Sequence, residues 1–203
     1  GIRDSSVTGV QTCALPISTY GDRDHPATDP RAEIAEVVRE TAARGGIVVI
    51  PSFAVGRAQA LLLHLHGLRA SGEIPDVPIF IDSPMASAVT ELYPRHPEDH
   101  RLSAGACHAM LAGVVMTDSV EESKDLVQRR GPRIVISASG MATGGRVLHH
   151  LEHCLPDHRN TVLLVGHQAV GTRGDSLRQG SPTIRIHGKN VPVRAQVRAI
   201  RSE

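Results

Sequence analysis

Aromatic side chains are nearly missing from this sequence: 203 residues hold two Phe, two Tyr and no Trp. Phe53, Phe80, Tyr20 and Tyr93 cannot supply the row of stacking rings that single-strand-binding sheets use, so a nucleic-acid partner would have to be gripped through its phosphates. Cysteine is as scarce. Cys13, Cys107 and Cys154 are odd in number and irregularly spaced, which excludes a disulfide framework and a CxxC metal knuckle and makes a reducing, cytoplasmic setting the expectation. No apolar run approaches the roughly 20 residues of a membrane span, so no membrane partner is expected. Charge of one sign is also lacking, with 22 Lys+Arg against 21 Asp+Glu, but the balance is uneven along the chain. Residues 171–203 carry seven Lys/Arg and two acids, a basic end that is either a solvated face or a surface for an anionic ligand. What is present is ordinary for a globular protein: 40% hydrophobic and 21% charged residues suffice to bury a core.

From Thr19 onward, short apolar runs alternate with helical patterns. Asp29-Pro30 has the form of an N-cap and first helical position, and Gly45-Gly46 closes that helix. Ile47–Ile50, Pro78–Asp82, Arg133–Ser137 and Thr161–Val165 read as strands apolar on both faces. Helices are expected over 55–70, 83–93, 121–130 and 146–155, with Ser119 and Glu122 at capping-box spacing. TIRIHG and VPVRAQVRAI, separated by Lys189-Asn190, read as an antiparallel hairpin. The pattern predicts an α/β fold: a parallel sheet of four or more strands with helices on both faces, plus a C-terminal β-hairpin.

In such a sheet, ligands sit outside the carboxyl ends of the strands. That rule selects Ser52 and Arg57, then Asp82 and Ser83, then Ser139, Gly140, Thr143, Gly144, Gly145 and Arg146, and finally Gly166, His167 and Gln168. The run SASGMATGGR (137–146) opens a helix with two glycines and ends on a guanidinium. It is neither a Walker loop nor GxGxxG, and it suits either an anion at the helix start or tight helix-to-sheet packing. Arg57 is read either as a phosphate ligand or as an internal ion pair with Asp82. The histidines do not form a metal motif: His64 and His66 point apart on a helix, and the His149/His153 pair lacks the HExxH order, so no metal ligand is expected.

The runs STYGDR (18–23), PSFAVGRAQ (51–59), IDSPMA (81–86), ISASGMATGGRVLHHL (136–151), NTVLLVGHQAVGTRG (160–174) and IHGKNVPVRAQV (186–197) resemble, in collinear order, the β-CASP group of metallo-β-lactamase-fold nucleases, closest to the bacterial RNA-processing branch. The resemblance implies a β-CASP domain over 18–180. Residues 181–203 would then begin the return into a metallo-β-lactamase domain, to which the hairpin would belong. It implies a parent enzyme, possible as a homodimer, that hydrolyses RNA phosphodiesters with two zinc ions. The family's HxHxDH, SAHAD and VHGE metal motifs have no match in the 203 residues, and Ile17 stands where the family's STYG run is preceded by an acid. A chain with no zinc of its own and no catalysis is therefore expected, clamping RNA backbone phosphates through Ser52, Arg57, Ser83, Ser139, Gly140, Thr143, Gly144, Gly145, Arg146, His167 and Gln168. The alternatives are an RNA-binding or scaffold module without catalysis, and a metallohydrolase acting on another substrate. Residues 1–17, with CALPIS (13–18) as the telling run, resemble a translated sequencing adapter and are expected to be a non-native leader.

Overall fold

The computed structural model describes residues 29–100 and 102–200. Helix α1 (Pro30–Ala43) starts where the Asp29 carboxylate accepts from the Arg31 amide at 2.9 Å and proline sits in the first turn. Its inner face buries Ile34, Val37 and Val38. The chain then turns through Gly45 at φ +69°, and Gly46 passes so close to a neighbouring loop that a Cβ there would lie 1.9 Å from the Arg159 carbonyl oxygen. Only glycine fits that approach, which delivers the chain into the centre of the sheet as β1 (Ile47–Pro51).

The chain continues through α2 (Arg57–Ala70), β2 (Ile79–Asp82), α3 (Pro84–Leu92), two single 3₁₀ turns, α4 (Ala104–Leu111), β3 (Val114–Met116) and α5 (Val120–Gln128). It then forms β4 (Arg133–Ser137), α6 (Val147–Cys154), β5 (Thr161–Val165), α7 (Arg173–Arg178), the strands β6 (Thr183–Ile186) and β7 (Lys189–Pro192), and β8 (Gln196–Ile200). Six strands form one parallel sheet in the order β3-β2-β4-β1-β5-β8, and β6 pairs with β7 alone. Every residue of β2, β4 and β5 is buried, as a sheet covered on both faces requires. Alternate strand residues feed two cores. Val48, Ile50, Ile79, Ile81, Ile134 and Ile136 meet α1, α2 and α4 on one face. Val49, Val162 and Leu164 meet α6, α7 and the β6–β7 pair on the other, where Phe80, Leu126 and Val135 form a smaller cluster under α5.

The α/β class, the parallel sheet and the helices on both faces agree with expectation. The C-terminal region does not follow its expected outline. The β6–β7 turn is His187-Gly188, both at positive φ (+47° and +82°), the signature of a two-residue I′ turn, and not Lys189-Asn190. The stretch read as one long second strand is two. The Arg194 and Ala195 amides both donate to the Leu155 carbonyl, at 2.8 and 2.9 Å, which breaks the strand after Pro192 and turns Gln196–Ile200 into β8 alongside β5. The hairpin packs against the sheet, with Ile184, Ile186 and Val191 buried in the second core. Among the described residues no helix is long and apolar enough to cross a membrane.

Candidate functional site

The crossover from β1 to β2 runs through α2 on one face, and that from β4 to β5 runs through α6 on the other, in opposite directions along the sheet. The loops leaving the adjacent strands β1 and β4 therefore diverge, and the gap between them is the switch point at which open parallel sheets bind ligands. Ser52 and Phe53 line one side of it, and residues 138–146 line the other. The two sides touch: the Ser52 amide donates to the Ser137 carbonyl at 3.0 Å, and a Cβ on Gly140 would lie 2.9 Å from the Phe53 ring.

The loop between β4 and α6 is organised from within by Ser139. Its hydroxyl oxygen accepts from the Thr143 and Gly144 amides at 3.0 and 3.3 Å and lies 3.0 Å from the Thr143 hydroxyl. These two amides, expected to offer themselves to an anion, are thus spent on holding the loop. Ala142 (φ +53°) and Gly145 (φ +81°) make its bends. From α7, the Arg173 guanidinium donates to the Thr143 carbonyl at 3.0 Å and the Ala142 carbonyl at 3.4 Å.

Arg146 points inward. It pairs with Asp82 at 2.8 Å and donates to the Thr117 and Asp118 carbonyls, each at 3.0 Å. Asp82, 0% exposed at the end of β2, also accepts from the Thr117 and Ser123 hydroxyls at 2.6 Å each and from His150 Nε2 at 2.5 Å. All acceptor positions of the carboxylate are filled, by four groups from three separate segments. Burial alone would raise its pKa. The hydrogen bonds from His150, Ser123 and Thr117, with the nearby His150 charge, outweigh burial and hold the carboxyl well below the usual carboxylate range. The Arg57–Asp82 pair considered from sequence is thereby replaced by Arg146 and His150.

The remaining candidates divide by exposure. Ser52, Ser83, Gly140 and Gln168 are buried, Ser83 as the N-cap of α3. Gln168 donates to the Gly140 carbonyl at 3.1 Å, while its Oε1 is buried without a partner against the glycine backbone at Gly174. Arg57, Ser139, Gly144 and His167 are half-buried, and Thr143 and Gly145 are exposed. Exposed apolar side chains stand on the same edge: Phe53, Val55, Met85 and Val170. Sequence reasoning missed His150 and the hydroxyls of Thr117 and Ser123. The one available signal was the i, i+4 spacing of Arg146 and His150 on α6.

A sheet covered on both faces, with a glycine-rich loop at its switch point, defines a doubly wound α/β domain. The profile of the Beta-Casp domain matches residues 58–177, more than half of the sequence, and the chain belongs to that family. It is 40% identical to ribonuclease TTHA0252 of Thermus thermophilus over 97% of this chain and 47% of that protein. That coverage extends into the segment read as an adapter-derived leader. It is 35% identical to the transcription termination factor FttA of Methanosarcina mazei over 85% of this chain and 29% of that protein. To an RNase J-like protein of Methanocaldococcus jannaschii it is 34% identical over 89% and 43%. The chain thus spans about half the length, or less, of the curated relatives it matches.

Proposed function

We propose that this chain is the RNA-gripping part of a cytoplasmic, metal-dependent RNA-processing hydrolase, and that it holds the RNA backbone at the edge where β1, β2, β4 and β5 end. The observation carrying this reading is that candidates scattered from Ser52 to Gln168 fall on one edge of the sheet, around a loop already fixed in shape. Arg57, Ser139, Thr143 and His167 have enough exposure to meet phosphate oxygens. Arg146, Asp82, Arg173 and Gln168 act through the loop by fixing its path, so little ordering remains to be done when RNA arrives.

Two zinc ions would supply the hydrolytic chemistry in this family. The strand-end residues described above do not fit them: the groups of three His, Cys, Asp or Glu side chains found close together among the described residues lie elsewhere. No catalytic step is therefore assigned to this chain. The apolar rim of Phe53, Val55, Met85 and Val170 suits cover by a metallo-β-lactamase domain, into which residues 181–203 would lead. A binding module without catalysis is the second reading, favoured by a strand-end loop whose amides are spent on holding its own shape.

The test is fluorescence anisotropy with an end-labelled single-stranded RNA across a salt series, beside a cleavage assay with added zinc. Binding should weaken with salt at a log–log slope of about −0.7 for each phosphate held, and Arg57→Ala should flatten that slope by about one contact. Binding that ignores salt, or none at low salt, would refute RNA gripping. Cleavage by this chain that Arg57→Ala and Thr143→Ala leave untouched would refute the division of labour.

A further inference from the structure

We infer that His149, Glu152 and His187 form a binding site for a single zinc-class divalent cation, clamping the β6–β7 turn onto α6. His149 and Glu152 are one turn apart on α6 and share a face, and His187 comes from the hairpin. One ligand atom from each lies within 4.8 Å of the others; His187 Nδ1 is 2.9 Å from Glu152 Oε2, and the two imidazole rings lie with centroids 4.5 Å apart, tilted by 30°. In a tetrahedral site with metal–ligand bonds of about 2.1 Å, ligand atoms are about 3.4 Å apart, so closure needs movements of roughly 1 Å, within the reach of small χ adjustments. The pair read from sequence, His149 with His153, is not the one the fold assembles.

The hairpin position is unusual for its residue. His187 has φ +47° in an I′ turn, where Asn and Gly are the favoured residues, yet the turn aims an imidazole at Glu152. Burial of Ile184, Ile186 and Val191 on either side of the turn fixes its place over α6. Two imidazoles and a carboxylate are a borderline-soft set suited to Zn²⁺ and poor for Mg²⁺ or Ca²⁺, which take oxygen ligands. Three protein ligands leave a coordination position for water. The cavity of about 620 Å³ between α5 and α6, whose lining includes His149 and Glu152, provides room for it. The nearest competing cation is Lys189, whose ammonium lies 3.5 Å from Glu152 Oε1 and is 76% exposed, free to swing into solvent as metal enters.

The experiment is zinc titration of the 203-residue chain against a chromophoric chelator, repeated with Co²⁺ to read the visible bands of a tetrahedral site. His187→Asn suits the left-handed turn and should keep the fold, with far-UV circular dichroism as the check. The parent chain should bind one equivalent held by this trio, and His187→Asn and Glu152→Gln should each weaken binding roughly tenfold or more. His153→Ala should leave the affinity unchanged. A parent chain that takes up no zinc, or folded variants that bind as tightly as the parent, would overturn the site.

Discussion

Replacing Asp82 by Asn keeps the shape of the side chain and removes its charge. The new amide NH₂ then faces donors, since one carboxylate oxygen accepts from Thr117 and Arg146 and the other from Ser123 and His150. Arg146, with its side chain 19% exposed, loses its counter-charge and keeps only the Thr117 and Asp118 carbonyls. Breaking one side of a buried pair costs about 3–5 kcal/mol, and the residual solvent at Arg146 places this case near 3 kcal/mol. That is a large share of the roughly 5–15 kcal/mol by which a folded domain is stable. With a urea m-value of about 2 kcal/mol/M, the unfolding midpoint at pH 7 should fall by about 1.5 M. The pH dependence sharpens the test. The folded-state pKa of Asp82 is depressed below the unfolded value of about 3.9, so its contribution is fully present above about pH 5 and is lost as pH falls through the unfolded value towards the folded one. The gap between parent and variant should be present in full at pH 5 and begin to close only as pH falls below about 4. Adding Arg146→Met should recover part of the loss, because the stranded charge goes with it. A midpoint shift smaller than about 0.3 M, or a gap undiminished at pH 3, would refute the reasoning.

Two further outcomes follow from close packing. Gly46→Ala places a Cβ 1.9 Å from the backbone of Arg159, so the chain entering β1 must shift; a loss of about 3 kcal/mol and a melting temperature lower by about 6–12 °C are expected by calorimetry, and an unchanged melting point would contradict the contact. The Cys154 thiol, its pKa pushed up to about 12 by burial and then by the Asp157 charge, should resist a thiol-specific disulfide reagent at pH 8 until urea unfolds the chain. Mass mapping of the labelled peptide checks this, and rapid labelling of Cys154 in the folded state would show that its burial is not maintained.

The elements legible in the sequence were those set by neighbours along the chain. β1, β4 and β5 are five-residue strands buried along nearly their whole length, and Asp29-Pro30 and the Ser119/Glu122 box carry their own capping signals. The strand-end rule likewise gathered Ser52, Asp82, Ser139 and Gln168 on one edge without knowledge of strand order. The elements not read are those whose identity depends on distant partners. β3 is three residues of mixed exposure and counts as a strand only through β2. β8 alternates poorly and is fixed by pairing to β5 and by the amides that Leu155 draws away from β7. The direction of Arg146 was illegible for the same reason. A guanidinium beside glycines suits a phosphate as well as a carboxylate, and only the fold brings Asp82, 64 residues away, within reach.

The adjacency of α1 and β8 decides where the described body is entered and left. Arg44 at the end of α1 donates to Gln196 at the start of β8 at 3.0 Å, and Glu36 further up the helix pairs with Arg198 further along the strand at 3.4 Å. Helix and strand thus run side by side in opposite senses, so that Pro30 and Ile200 come out together at the edge carrying the glycine-rich loop and the apolar rim. Polypeptide joined at both points forms a double tether on a single margin. The candidate grip on RNA shares that margin, so both exits stand beside it.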